Sequence, residues 1–185
     1  MNVPHFMSKV DFENKSLVYI TAASYVFNLL FSACGYLCNH SSNEQMLFYQ
    51  IGNAFAISAS VMAGRYTGLR GQHVAASAYI LLGITHGISL AALSRAAINV
   101  DRGMTMVMPM IPALICMFWC RLYPLWLRAA AILPISFFTL VYVNAHLGGD
   151  YFDWHLAWGY GTLQVIEVLW GFYLWKDWKE QRQQH

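Results

Sequence analysis

The sequence predicts an all-α integral membrane protein: a bundle of six transmembrane helices with both termini cytoplasmic. Three observations predict it. Of 185 residues, 58% are hydrophobic and only 11% charged, where a soluble domain carries about 25% charged residues. So few charges cannot clothe a water-facing globule. Six stretches approach the ~20 apolar residues a helix needs to cross the hydrocarbon core. The cationic residues then segregate to one side of those six spans, as the positive-inside rule requires.

The spans fall at residues 16–38, 46–64, 73–98, 104–122, 127–146 and 154–175. The links are short and none reads as a domain linker, so residues 1–185 are expected to form one polytopic domain. The opening MNVPHFMSKVDFENK is mixed in charge and lacks a small-residue cleavage site, which favours a retained first helix over a cleaved signal peptide. With six spans, Lys9, Lys15, Arg65, Arg70, Arg121, Arg128, Lys176, Lys179 and Arg182 lie inside, nine of the eleven Lys and Arg. Arg95 and Arg102 lie outside with Glu44, Asp101, Asp150 and Asp153. The expected location is the plasma membrane, or the inner membrane of a bacterium. The formal charge of +2, with no basic run, argues against nucleic-acid binding.

Helix 1 carries Thr21, Ser24, Asn28, Ser32 and Gly35 at spacings of three or four, and helix 2 carries Gln50, Asn53, Ser60 and Gly64. Small and polar stripes mark helix–helix faces in lipid, where close approach and interhelical hydrogen bonds replace the hydrophobic effect. They serve packing or line a polar cavity. The segment GRYTGLRGQH, 64–73, reads as a cationic turn suited to anionic headgroups. Helix 3 places His86 between Gly83 and Ser89, more than a turn from either end. In the fourth span, Pro109 and Pro112 withhold two backbone donors. Its Met104, Met106, Met108 and Met110 alternate, and read as adaptable packing or, more sharply, as a soft copper(I) site. Pro134 is expected to interrupt the fifth span. Cys34/Cys38 and Cys116/Cys120 are each spaced i, i+4, poor geometry for a disulfide, so they read as packing residues.

Two constellations could carry chemistry. In the sixth span Tyr160, Gln164, Glu167 and Gly171 share one face. A carboxylate inside a membrane helix costs a few kcal/mol on insertion scales, so Glu167 is a functional candidate by default. From the rise per residue, His86 and Asn53 lie within about 6 Å of its depth. A carboxylate and an imidazole at mid-membrane suit proton coupling. Glu167, His86, Asn53 and Gln164 are therefore the expected proton-coupling and substrate pathway. The plainer alternative is a structural interhelical hydrogen bond.

The second constellation lies at the outer surface: His146, Asp150, Asp153 and His155, with His40 and the Cys34/Cys38 pair nearby. These are ligand types for zinc or another divalent ion, without the spacing of a closed metal motif. A haem held through one of these histidines is the related alternative. Ala145-His146-Leu147-Gly148-Gly149 resembles the histidine motif of rhomboid intramembrane proteases over five residues. The resemblance implies a serine nucleophile in a GxSG motif, which the chain lacks; Gly87-Ile88-Ser89-Leu90 is nearest.

The leading expectation is transport, permeation or sensing of a small solute or proton through the bundle. The alternatives are a membrane redox or metal protein using the outer cluster, and an accessory subunit of a membrane complex. The expected partners are the bilayer, a small molecule or ion, and a second copy or another membrane subunit.

Overall fold

The computed structural model describes residues 4–39, 42–93, 106–147 and 153–184. All their regular structure is helical: α1 Pro4–Leu37, α2 Asn43–Leu69, α3 His73–Leu93, α4 Met110–Met117, α5 Leu125–Ala130, α6 Ile132–His146 and α7 Asp153–Gln184. Among the described residues four stretches are long and apolar enough to cross a membrane: Asn14–Leu37, Asn43–Leu69, His73–Leu93 and Leu125–His146, the last comprising α5 and α6. This is the mark of a membrane protein. Large apolar residues such as Leu30, Ile80, Ile84 and Leu133 face outward, while Asn28, His86 and Glu167 are buried. Water-soluble proteins show the reverse.

The helices close into a ring. α1 packs on α2 and α7, α2 on α3, α3 on α4, α4 on α6, and α6 on α7. Small residues permit the close approaches. A Cβ added at Gly64 would stand 3.3 Å from the Ala76 carbonyl of α3, and one at Gly171 would stand 3.1 Å from Cα of Ala22 on α1.

Local signals set the helix ends. Ser42 caps α2, its hydroxyl accepting from the Gln45 N–H at 3.1 Å, and Glu44 in the first turn complements the helix dipole. At the other end α2 runs on to Leu69, so Arg65 and Tyr66, expected in a turn, are helical. The stop is a Schellman motif: the Gln72 N–H donates to Thr67 O at 2.9 Å and the Gly71 N–H to Gly68 O at 3.0 Å. Gly71 sits at φ +71°, where a side chain would be strained.

The fourth and fifth spans depart from expectation. α4 has only 8 residues, with Pro109 at its N-cap and Pro112 in its first turn, where a missing N–H leaves nothing unpaired. Met106 and Met110 are buried and Met108 is 58% exposed, so helical period overrides the alternation; Met104 lies outside the described residues. The break in the fifth span falls at Ala131, between α5 and α6. Pro134 follows three residues later and denies the Ala130 carbonyl its helical donor.

One end of the bundle collects the cations. Tyr66 Oη donates to Asp177 Oδ2 at 2.7 Å, and Arg70 reaches the same carboxylate through Nε at 3.0 Å and Nη2 at 3.3 Å. The Arg121 N–H donates to Gln72 Oε1 at 3.2 Å. Tyr19 packs edge-on against Trp178, ring centroids 5.8 Å apart. Lys179 lies over Trp175 and Arg182 over Trp178, at 5.1 and 5.4 Å. The start of α1, the α2–α3 turn, the α4–α5 turn and the end of α7 thus share this end, called the termini end below.

Candidate functional site

Four helices aim polar side chains at one buried point. The stripe of α1 supplies Asn28 and Ser32, α2 supplies Asn53, α3 supplies His86, and α7 supplies Glu167 and Gln164. Glu167 is fully buried, His86 is 1% exposed and Asn28 2%. Close approach of α1 and α2 is allowed by Gly52, where a Cβ would stand 3.0 Å from Ser32 Oγ and 3.2 Å from Asn28 Oδ1.

The hydrogen bonds have a direction that can be followed atom by atom. Gln164 Nε2 donates to Ser32 Oγ at 2.7 Å. The Ser32 hydroxyl points on to Asn28 Oδ1 at 3.5 Å. Asn28 Nδ2 donates to Glu167 Oε2 at 3.0 Å. From the other side, Asn53 Nδ2 donates to the Tyr49 carbonyl at 2.9 Å. That carbonyl can only accept, so it fixes which end of the Asn53 amide turns away. Asn53 Oδ1 then faces His86 Nδ1 at 3.0 Å. An amide oxygen is an acceptor only, so His86 Nδ1 carries a hydrogen.

The last contact is His86 Nε2 to Glu167 Oε1, 3.0 Å. With Nδ1 protonated by the logic above, this contact holds one proton. It is either an imidazolium beside a carboxylate or an imidazole beside a carboxylic acid. Both carry zero net charge, which suits a site with no water-facing surface. Removing the proton leaves an uncompensated negative charge, and adding a second leaves a positive one. Every other hydrogen in the network has an owner fixed by its neighbours. A further, partly buried bond, between Ser89 Oγ and Tyr160 Oη at 3.1 Å, lies one turn beyond His86.

The structure brings together all four side chains expected for the pathway: Glu167, His86, Asn53 and Gln164. It adds Asn28 and Ser32, which the sequence placed on the right stripe but left without partners. Both imidazole nitrogens of His86 are taken by protein partners, leaving no lone pair there for a haem iron.

The outer constellation is only partly described. Asp150, His40 and the side chain of Asp153 lie outside the described residues. His146 ends α6 and stacks on Tyr142, centroids 4.6 Å apart. His155 is buried in the first turn of α7. Among the described residues no three His, Cys, Asp or Glu side chains are grouped to hold a metal. Ser89, the residue nearest to a rhomboid-type nucleophile, bonds to Tyr160.

No known family, curated protein or solved structure matches the chain.

Proposed function

We propose that this is a six-span protein of the plasma membrane that couples a proton held by Glu167 and His86 to passage or sensing of a small solute or ion. The observation that carries the reading is the buried His86–Glu167 contact at 3.0 Å, with Asn28 on the other carboxylate oxygen and Asn53 on the other imidazole nitrogen. A pair so placed can pass one proton on as it receives another. That is the behaviour of a coupling station. The four apolar stretches supply four spans. Residues 106–120 and α7 supply the others. α7 is 32 residues long, and its Trp175 and Trp178 under Lys179 and Arg182 form an interfacial belt. The termini end, rich in Lys and Arg, is cytoplasmic in this reading.

The test is Glu167→Gln in sealed proteoliposomes carrying an internal pH dye, with potassium and valinomycin setting the potential. The glutamine keeps the shape of the site and still accepts from Asn28, but removes the acidic proton. The expected result is wild-type thermal stability in detergent, within a few degrees, and loss of proton movement. Full proton movement by Glu167→Gln would falsify the reading.

A further inference from the structure

The geometry points to a route by which protons travel between the Glu167–His86 pair and the termini end: the hydroxyls of Tyr25, Tyr79 and Tyr123, opening into a cleft beside Asp177. The assignment rests on the proton-station reading of the pair and names the path that serves it.

The residues are stacked in order of depth. Tyr25 precedes Asn28 by three residues on α1, Ser60 follows Asn53 by seven on α2, and Tyr79 precedes His86 by seven on α3. At ~1.5 Å per residue these steps are about 5 to 11 Å, all toward the termini end. Tyr25, Ser60 and Tyr79 are fully buried and Tyr123 is 2% exposed.

The Tyr25 and Ser60 hydroxyls face each other without closing a hydrogen bond, and neither has another partner among the described residues. Trp170 Nε1, one turn from Glu167, is a third buried polar atom without one. A buried polar atom left unpaired costs about 1–3 kcal/mol. Such atoms are the ordinary seats of bound water, which bridges groups that do not touch. Tyr25 lies within electrostatic reach of Glu167 on one side and of Tyr79 and Tyr123 on the other.

Bound water at the unpaired Tyr25 hydroxyl would bridge it to Tyr79, and from Tyr79 on the path is direct. The Tyr79 and Tyr123 hydroxyls are hydrogen-bonded to each other. Trp170 holds both rings, edge-on to Tyr79 at 5.8 Å and stacked on Tyr123 at 6.0 Å. Tyr123 also lines a cleft of about 350 Å³ that opens to the outside, with Arg121, Lys176, Asp177 and Glu180 on its walls. The Tyr79–Tyr123 pair therefore joins the interior to that cleft.

Relay needs no ionised tyrosine. Each hydroxyl accepts a proton on a lone pair, gives up its own hydrogen to the next oxygen, and resets by rotation. A water bridging Tyr25 accepts a proton and gives up one of its own in the same way, so it is regenerated, and one proton enters at the cleft for each that arrives at the pair.

The experiment uses the same proteoliposomes with Tyr25→Phe, Tyr79→Phe, Tyr123→Phe and Glu167→Gln side by side. Tyr25→Phe is the central variant because the Tyr25 hydroxyl closes no bond whose loss could unfold the protein. The expected result is at least a ten-fold fall in proton flux for each Phe variant, a null for Glu167→Gln, and a melting temperature close to wild type for Tyr25→Phe. Wild-type flux in Tyr25→Phe, with Glu167→Gln dead, overturns the relay and leaves the station intact. A wild-type protein that moves no protons overturns the station and the relay with it.

Discussion

Asn28 donates to Glu167 Oε2 at 3.0 Å across 139 residues of chain, joining the first helix of the ring to the last. The bond ties one oxygen of the carboxylate to α1 and leaves the other for His86. Glu167 is thereby held from two sides, by Asn28 and by His86.

The tautomer of His86 is directly observable. If Asn53 Oδ1 fixes a hydrogen on Nδ1, nitrogen-15 spectra of histidine-labelled protein should show a protonated Nδ1 for one buried imidazole. In Asn53→Leu that acceptor is gone, and the signal should shift toward the other tautomer or become mixed. An unchanged Nδ1 signal in Asn53→Leu would show that something else sets the proton.

Glycine substitutions should separate close packing from open space. A Cβ at Gly52 meets Ser32 Oγ at 3.0 Å and the Asn28 backbone oxygen at 3.4 Å, while one at Gly87 meets nothing within 4 Å. Gly52→Ala is expected to push α1 away from α2 and cost about 1–3 kcal/mol, the usual range for overpacking. Gly87→Ala should be neutral or slightly stabilising, through helix propensity of up to about 1 kcal/mol. Thermal unfolding of the two variants in one detergent decides it; equal effects would contradict the packing described.

At the termini end, Tyr66 and Arg70 share Asp177 but should not count equally. Tyr66 is 1% exposed and donates at 2.7 Å. The Arg70 side chain is 36% exposed, so its ion pair is screened by solvent. Tyr66→Phe should cost about 1.5–3 kcal/mol, as for a bond to a charged group. Arg70→Ala should cost under about 1 kcal/mol, and less still at high salt. A larger loss for Arg70→Ala in chemical or thermal unfolding would reverse this ranking.

The buried polar cluster was legible because few things explain a glutamate in an apolar helix. Hydropathy located Glu167, His86, Asn53 and Gln164, and rise per residue put three of them at one depth. The identity of Asn28 as the second partner was not legible. Its stripe was visible, but which stripe residue meets Glu167 depends on the rotation of α1 about its axis and on how closely Gly52 lets it approach. The Tyr79–Tyr123 pair was hidden for a different reason: two buried aromatics read as packing until their hydroxyls are seen to meet. The length of α4 was misjudged because apolar content was weighed above its two prolines. The end of α2 was misjudged because three glycines suggested a loop where one, Gly71, does the turning.

The closing of the ring by α7 also has a consequence for biogenesis. Glu167 lies 81 residues after His86. At a synthesis rate of 5–20 residues per second, that interval is on the order of ten seconds. Through it, α1, α2 and α3 sit in the bilayer with Asn28, Asn53 and His86 turned toward a gap that no carboxylate yet fills. The young chain must hydrate that gap, close it provisionally, or shelter it against the insertion machinery until the last helix arrives. A truncation ending before α7 would be left in that half-assembled state, with the side chains of Asn28, Asn53 and His86 uncovered by α7, and should be a ready substrate for membrane proteases.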